Sequence, residues 1–139
     1  MTTAFIDTGA WIALLVPRDN HHRRARAFFQ RIAPRTRLLT SNYVLAETVT
    51  WLAYHGLRSA ALRLKEQVSA AESTSLLATA WVTPDVHDAA WDYFERFDSQ
   101  DFSFCDCTSF ALCRARKVDF VFGFDHRFRS MGFDLQPGP

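Results

Sequence analysis

Short β-prone runs alternate with helical segments along nearly the whole chain, and this alternation restricts the fold more than any other feature. The β-prone runs are residues 3–6, 38–41, 75–83 and 120–124, and a short edge strand is expected at 132–135. Apolar residues recur at helical spacing over residues 8–16, 20–32, 43–55, 57–72, 84–97 and 106–116. Strands that alternate with helices predict an α/β fold with a mainly parallel sheet and helices on both faces.

The length and hydropathy of the chain fit one domain. The chain has 139 residues, of which 48% are hydrophobic, so we expect a single domain over residues 1–139 with one substantial core. The longest nearly uncharged stretch, residues 38–57, carries Glu47 and several polar side chains, so it does not have the composition of a membrane span. The apolar start has no basic residue before Asp7, which argues against a secretory signal, and we expect a cytoplasmic protein.

The cysteine pattern favours ordinary packed thiols. Three cysteines, Cys105, Cys107 and Cys113, lie within nine positions. An odd number of cysteines so close together is a poor basis for a disulfide framework. A structural zinc site usually has spacers of at least two residues, whereas only one residue separates Cys105 from Cys107. These cysteines therefore indicate a reducing compartment.

The net charge of +1 conceals two segments of opposite sign. Residues 18–37 contain seven arginines and one acid, whereas residues 85–106 contain seven acids and one arginine. Clustered cations favour binding to a nucleic-acid backbone, because neutralised phosphates release their counterions. A solvated helix face would have the same composition, so both interpretations of the basic segment remain open.

Four carboxylates lie inside segments that otherwise have the composition of core. Asp7 is the only charged residue between positions 1 and 16, and Glu47 is the only one between positions 38 and 57. Asp106 is alone between positions 102 and 113, and Asp125 directly follows an apolar run. Burial of an ionised carboxylate is costly unless the group is paired, protonated or bound to a metal. In a parallel sheet, Asp7 and Asp125 would lie at the carboxyl ends of their strands, where such sheets form their binding crevice.

Carboxylates that converge in this way need a cation. Two of them about 4 Å apart repel by about 4 kcal/mol at an effective dielectric constant of about 20. Oxygen ligands suit Mg²⁺ or Mn²⁺, which can activate a water molecule for attack on a phosphodiester. Each acid also has a separate explanation: a helix cap for Asp7 or Asp106, a distant arginine for Glu47, and a turn with His126 and Arg127 for Asp125.

The stretches at residues 5–15, 41–48 and 101–133 resemble the motifs of the PIN-domain family, and within it the VapC-like toxins of type II bacterial toxin–antitoxin pairs. The family's opening strand, first acid and following helix are matched by FIDTGAWIALL, residues 5–15. Its second motif is matched by SNYVLAET, residues 41–48, with the glutamate at Glu47. Its third and fourth motifs are matched within residues 101–133, with acids at Asp106 and Asp125. The similarity covers nearly the whole chain.

This resemblance implies a three-layer α/β/α sandwich and Mg²⁺- or Mn²⁺-dependent endonucleolytic cleavage of RNA. The residues implied as both catalytic and metal-binding are Asp7, Glu47, Asp106 and Asp125. The last of them is the least uniform ligand in the family. Thr8 and Thr108 match hydroxyl residues that orient ligands or water, and Gly9 replaces a small polar residue of many relatives.

The resemblance also implies partners. These are an RNA substrate, a small antitoxin protein and a second copy of the chain in a homodimer. The composition, as noted above, predicts no membrane partner. Apolar helix faces could bind a partner peptide in a groove. Trp11, Tyr43 and Trp51 are candidates for stacking on unpaired bases.

Two other functions stay open from the sequence. A DNA flap nuclease or exonuclease uses similar acids on a related fold. A PIN-like module that binds RNA or protein would keep the fold without turnover. Asp101 is a further acid near the third motif, and its polar surroundings favour a solvated loop residue over a ligand.

Overall fold

The structure is a computed structural model that describes residues 1–139, and it contains one sheet covered by helices. The strands are β1 (Thr2–Ile6), β2 (Thr36–Ser41), β3 (Leu77–Ala80), β4 (Phe120–Gly123) and β5 (Leu135–Pro137). The helices are α1 (Thr8–Leu15), α2 (His22–Ile32), α3 (Asn42–Tyr54), α4 (Arg58–Ser73), α5 (Pro84–Arg96), α6 (Phe104–Arg116) and α7 (Arg127–Ser130). None of the helices combines the length and the apolar character that crossing a membrane requires.

All five strands are parallel, in the order β3-β2-β1-β4-β5. The chain winds from β1 through β2 to β3 at one edge, then crosses back to β4 and β5. Right-handed crossovers in these two directions place helices on opposite faces of the sheet. The predicted α/β fold is confirmed. The strand order reverses between β1 and β4, and open α/β sheets bind their ligands at such a point.

The core holds the inner strands and α6 in place. Phe5, Ile6, Val121 and Phe122 have no exposed surface, as expected for central strands covered on both faces. Phe110 of α6 packs edge-on against neighbouring rings, among them Phe102 and Phe128, with ring centroids 5.0 and 5.2 Å away. This packing fixes α6 relative to the sheet, and with it the position of the helix's first turn.

Local hydrogen bonds move several helix starts away from the predicted positions. Helix α3 begins at Asn42 rather than at residue 43, because Ser41 caps it: the Ser41 hydroxyl accepts a hydrogen bond from the Val44 N–H at 3.0 Å. The Asn42 Oδ1 accepts instead from the Val82 N–H at 2.8 Å. Helix α2 begins at His22 rather than near residue 20, because Asp19 accepts from the His21 N–H within a preceding turn.

The remaining corrections concern short elements. Strand β3 is limited to four residues rather than 75–83, and Ser75 has a positive φ of 60° in the turn before it. Helix α6 begins at Phe104, two residues before the predicted start at Asp106. Strand β5 lies slightly later than the predicted 132–135, and the short helix α7 was not expected from the sequence.

Candidate functional site

An open pocket of about 620 Å³ lies at the carboxyl edge of the sheet, where β1 and β4 end. All four predicted acids line it: Asp7, Glu47, Asp106 and Asp125. They come from four different elements, the ends of β1 and β4 and the helices α3 and α6. The structure therefore brings together side chains that lie far apart in the sequence. Their function as metal ligands stays a prediction.

Asp7 directly follows β1 and is the most buried of the four acids, with 7% of its surface exposed. Its backbone N–H donates to the Phe122 carbonyl of β4 at 3.1 Å, which fixes it between the two strands. Although Asp7 occupies the cap position of α1, its side chain makes no capping hydrogen bond, so a structural cap does not account for it. Burial, together with the charges of Asp106, Glu47 and Asp125, raises the pKa of Asp7 to about 8.

Asp106 and Glu47 reach the pocket from the first two turns of their helices. The Ser103 hydroxyl accepts from the Asp106 N–H at 3.0 Å, and the Asp106 Oδ2 accepts from the Ser103 N–H at 2.9 Å. A capping function thus occupies one carboxylate oxygen of Asp106 and leaves Oδ1 for the pocket. Burial, with the charges of Asp125 and Glu47, raises the pKa of Asp106. Glu47 is half-buried on α3 and makes no ion pair.

Asp125 differs from the other three acids because it has a cation of its own. The Arg127 guanidinium lies 3.2 Å from the Asp125 Oδ2, and the Arg127 N–H donates to Oδ1 at 3.0 Å. The same guanidinium lies 3.4 Å from the carboxylate of Asp101, which also lines the pocket. These are the two ion pairs of the molecule, and both belong to Arg127. The turn with Arg127, which could explain Asp125 without a metal ion, is therefore present.

The two predicted hydroxyl residues have different positions. Thr8 lines the pocket, is 9% exposed, and its Oγ1 has no hydrogen-bond partner. Thr108 does not line the pocket; its hydroxyl donates to the Cys105 carbonyl at 2.7 Å and braces the first turn of α6. A Cβ added to Gly9, which lines the pocket, would meet no atom within 4 Å. The space for the polar side chain of many relatives is therefore present.

Two residues of the site were missed or left undecided by the sequence. The Cys105 thiol is half-buried beside the acids; burial, followed by the charges of Glu47, Asp7 and Asp106, raises its pKa far above the ordinary value. The sequence feature that could have assigned Cys105 to the site is its position directly before Asp106, a predicted ligand. Arg127, which lines the pocket, had been considered only as a turn residue of Asp125.

The donor chemistry fits a hard divalent cation. Asp7, Glu47 and Asp106 offer carboxylate oxygens in one pocket, and no arginine or lysine pairs with any of them. As the side chains lie in the structure, no three His, Cys, Asp or Glu groups converge closely enough to hold one ion together. Mg²⁺, however, usually keeps several waters and takes only one or two protein carboxylates directly. The residues present are therefore sufficient for such an ion.

Comparison with known protein families identifies the family to which this chain belongs. A family model of the PIN domain matches residues 4–134. The chain belongs to the PIN domain family. PIN domains are nucleases, and those of the VapC group generally depend on a divalent metal ion. The resemblance found in the sequence is thereby confirmed.

Individual PIN-domain proteins are similar over nearly the whole chain. VapC20 of Mycobacterium tuberculosis, a 23S rRNA-specific endonuclease, is 33% identical over 129 residues, which cover 93% of this chain and 94% of VapC20. The crystal structure of VapC20, a sarcin–ricin loop cleaving toxin, matches with a TM-score of 0.81 over 94% of this chain and 95% of that one.

A more distant PIN-domain structure shows the same fold at low identity. This is VapBC2 from Rickettsia felis bound to a DNA fragment from its promoter, with a TM-score of 0.72, 10% identity and 99% of both chains covered. At this identity the match supports the fold alone.

Proposed function

We propose that this protein is a metal-dependent endoribonuclease in which Asp7, Glu47 and Asp106 hold Mg²⁺ or Mn²⁺, one or two of them directly and the rest through waters that the ion keeps. Asp125 is the fourth ligand in this proposal, and it must share its charge with Arg127. One observation carries the proposal: three carboxylates from separate elements line one pocket at the strand-order reversal, and none has a basic partner. A hard divalent ion bound there supplies an activated water and charge stabilisation for phosphodiester hydrolysis.

The residues around the acids have separate tasks. Asp7 is held rigidly between β1 and β4, so its carboxylate is pre-positioned and gains most from a cation partner. Thr8 offers an unpaired hydroxyl to orient a ligand or water in the pocket. Arg127 lies at the pocket with its side chain 35% exposed, where it can meet a phosphate of the substrate.

RNA is the proposed substrate because cationic surface adjoins the pocket and because VapC20 is an rRNA endonuclease. All seven arginines of residues 18–37 are exposed. Arg24 lies 5.9 Å from the ring centre of Phe124, the residue directly before the pocket residue Asp125, so one arginine of this segment lies near the edge of the pocket. An RNA backbone can run along these arginines while one phosphodiester lies at the acids. We expect the protein to act in the cytoplasm, where ribosomal RNA lies.

The proposal is tested by cleavage of matched substrates. A sarcin–ricin hairpin, a hairpin of the same composition in scrambled order, and the corresponding DNA are each incubated with the protein in Mn²⁺, Mg²⁺ or EDTA. We expect cleavage of RNA, none in EDTA, and none by the Asp7→Asn variant. Equal cleavage by that variant would contradict the assignment of the site. Preferential cleavage of DNA would favour the related DNA nucleases, and metal binding without any cleavage would favour a binding module.

We further propose that the protein is the toxin of a toxin–antitoxin pair and forms a homodimer. The similarity to VapC20, a toxin, supports the first statement. An apolar cavity of about 480 Å³ between α2 and α4, lined by Trp11, Leu14, Phe29, Leu76 and Leu77 among others, offers an antitoxin peptide a binding groove. Growth arrest on expression, relieved by a small protein encoded next to the gene, tests the pairing. Sedimentation of the purified protein tests the dimer.

A further inference from the structure

Helix α3 presents an aromatic ring to the same pocket as one of the acids. Trp51 follows Glu47 by four residues, which places both on one face of the helix, and both line the pocket. The indole stacks on the imidazole of His55, with ring centroids 3.7 Å apart and an angle of 17° between the planes. The His55 ring is itself held by a 2.7 Å hydrogen bond between Nδ1 and the Trp51 carbonyl. The Trp51 indole is therefore held in place by its contact with the His55 ring.

Trp51 is also the apolar group that the pocket offers to a ligand. Three apolar side chains line the pocket, and two of them, Ile12 and Phe102, are only 8% exposed. Trp51 is half-buried and keeps accessible surface toward the pocket. Most of the other lining groups are carboxylates, which repel an unneutralised phosphate. A flat, uncharged group such as a nucleobase fits against the indole without this penalty.

We propose that Trp51, supported by His55, stacks on one unpaired base of the RNA next to the cleaved phosphodiester. This inference rests on the proposed ribonuclease function and narrows its substrate to RNA with an unstacked base at the cleavage site. Aromatic side chains stack on any base, so the contact selects for single-stranded geometry more than for a particular sequence. Cleavage in a loop or bulge is preferred over cleavage within a duplex.

The test compares a normal hairpin with hairpins that carry one abasic nucleotide at successive loop positions. We expect Trp51→Ala to lower kcat/KM on the normal hairpin by about 10- to 100-fold. On the hairpin that lacks the stacked base, wild type and variant should be cleaved equally. Trp51→Phe should recover most of the loss, and His55→Ala should cause a smaller loss of the same kind. The control variant is Trp81→Ala, which removes an indole ring that is 70% exposed and does not line the pocket.

Two further measurements separate the failure of this inference from the failure of the proposed function. The increase of Tm with Mn²⁺ should be the same in Trp51→Ala and in wild type, because the metal site does not include the indole. Hairpin affinities measured in an Asp7→Asn background do not depend on turnover. If Trp51→Ala weakens binding of the normal hairpin but not of the abasic hairpin, the result supports stacking even when no RNA is cleaved. Equal losses on normal and all abasic hairpins would overturn the inference and leave Trp51 as a packing residue.

Discussion

Two aspartates at the ends of neighbouring parallel strands have opposite electrostatic surroundings. Asp7 follows β1, is 7% exposed, has no cationic partner, and has a pKa raised by burial to about 8. Asp125 follows β4, and its side chain is 26% exposed with both carboxylate oxygens engaged by Arg127. Position on the sheet is therefore not enough to define a ligand. Asp7 needs an external cation to be ionised inside the protein, whereas Asp125 already has an internal one.

Cleavage should show the largest difference between the two aspartates. We expect Asp7→Asn to lower the rate on the order of 1000-fold, because it removes the rigid carboxylate of the metal site. Asp125→Asn should cost only about tenfold, since Arg127 already neutralises part of that charge. Rates are compared at saturating Mn²⁺ on the same hairpin, with Asp101→Asn as the control for a fully exposed acid of the pocket. Equal losses at Asp7 and Asp125 would remove the distinction.

Metal-induced stabilisation should separate the same two variants. An ion that binds only the folded protein stabilises it by about 2.7 kcal/mol at a hundredfold excess over Kd, which raises Tm by about 5 to 10 °C. Wild type and Asp125→Asn should show this increase with Mn²⁺, and Asp7→Asn should not. The measurement is a thermal melt with Mn²⁺ or EDTA. An increase of the same size in Asp7→Asn would place the ion elsewhere.

The raised pKa of Asp7 predicts an unusual pH dependence of stability without metal. Between its ordinary value of 3.8 and about 8, Asp7 is protonated when folded and ionised when unfolded. This contribution to stability is complete below about pH 4 and is lost as pH rises toward 8, by about 1.4 kcal/mol per pH unit. Asp7→Asn should remove that slope, and Asp125→Asn should retain it. Urea denaturation in EDTA at several pH values measures the difference, and parallel curves for wild type and Asp7→Asn would contradict it.

Removal of the internal cation should have the smallest effect. Arg127→Gln should lower the unfolding free energy by less than about 1 kcal/mol, because the guanidinium is partly exposed. The variant should also bind Mn²⁺ more tightly, since Asp125 then no longer shares its charge with Arg127. Calorimetric titration with Mn²⁺ measures the affinity, and Arg116→Gln, at an exposed position on α6, is the matched control. Weaker Mn²⁺ binding would show that Arg127 positions Asp125 rather than competes for it.

The sequence predicted the fold and the meeting of the acids because both depend on patterns spread over the chain. Alternation of strands and helices determines the parallel sheet, and a lone charge in an apolar segment identifies Asp7 and Glu47. The cap of α6 was misplaced because Ser103 and Asp106 are both good capping residues three positions apart, and only the geometry shows that they cap each other.

Other features depend on contacts between elements and could not be predicted. The place of Cys105 beside Glu47 depends on how α6 packs near α3, which no local pattern records. The Arg127 side chain had two possible partners, and its contact with Asp101 joins residues 26 positions apart. Helix α7 is too short to produce a helical repeat in the sequence.

The shared face of α3 has a consequence for where the RNA chain breaks. A four-residue step along a helix corresponds to about 6 Å of rise, and α3 is a continuous helix between Glu47 and Trp51. The proposed metal ligand Glu47 and the proposed stacking residue Trp51 thus lie on one continuous helix. With both proposed contacts made, the helix would set a constant distance between the stacked base and the cleaved phosphodiester, whatever the sequence of the loop.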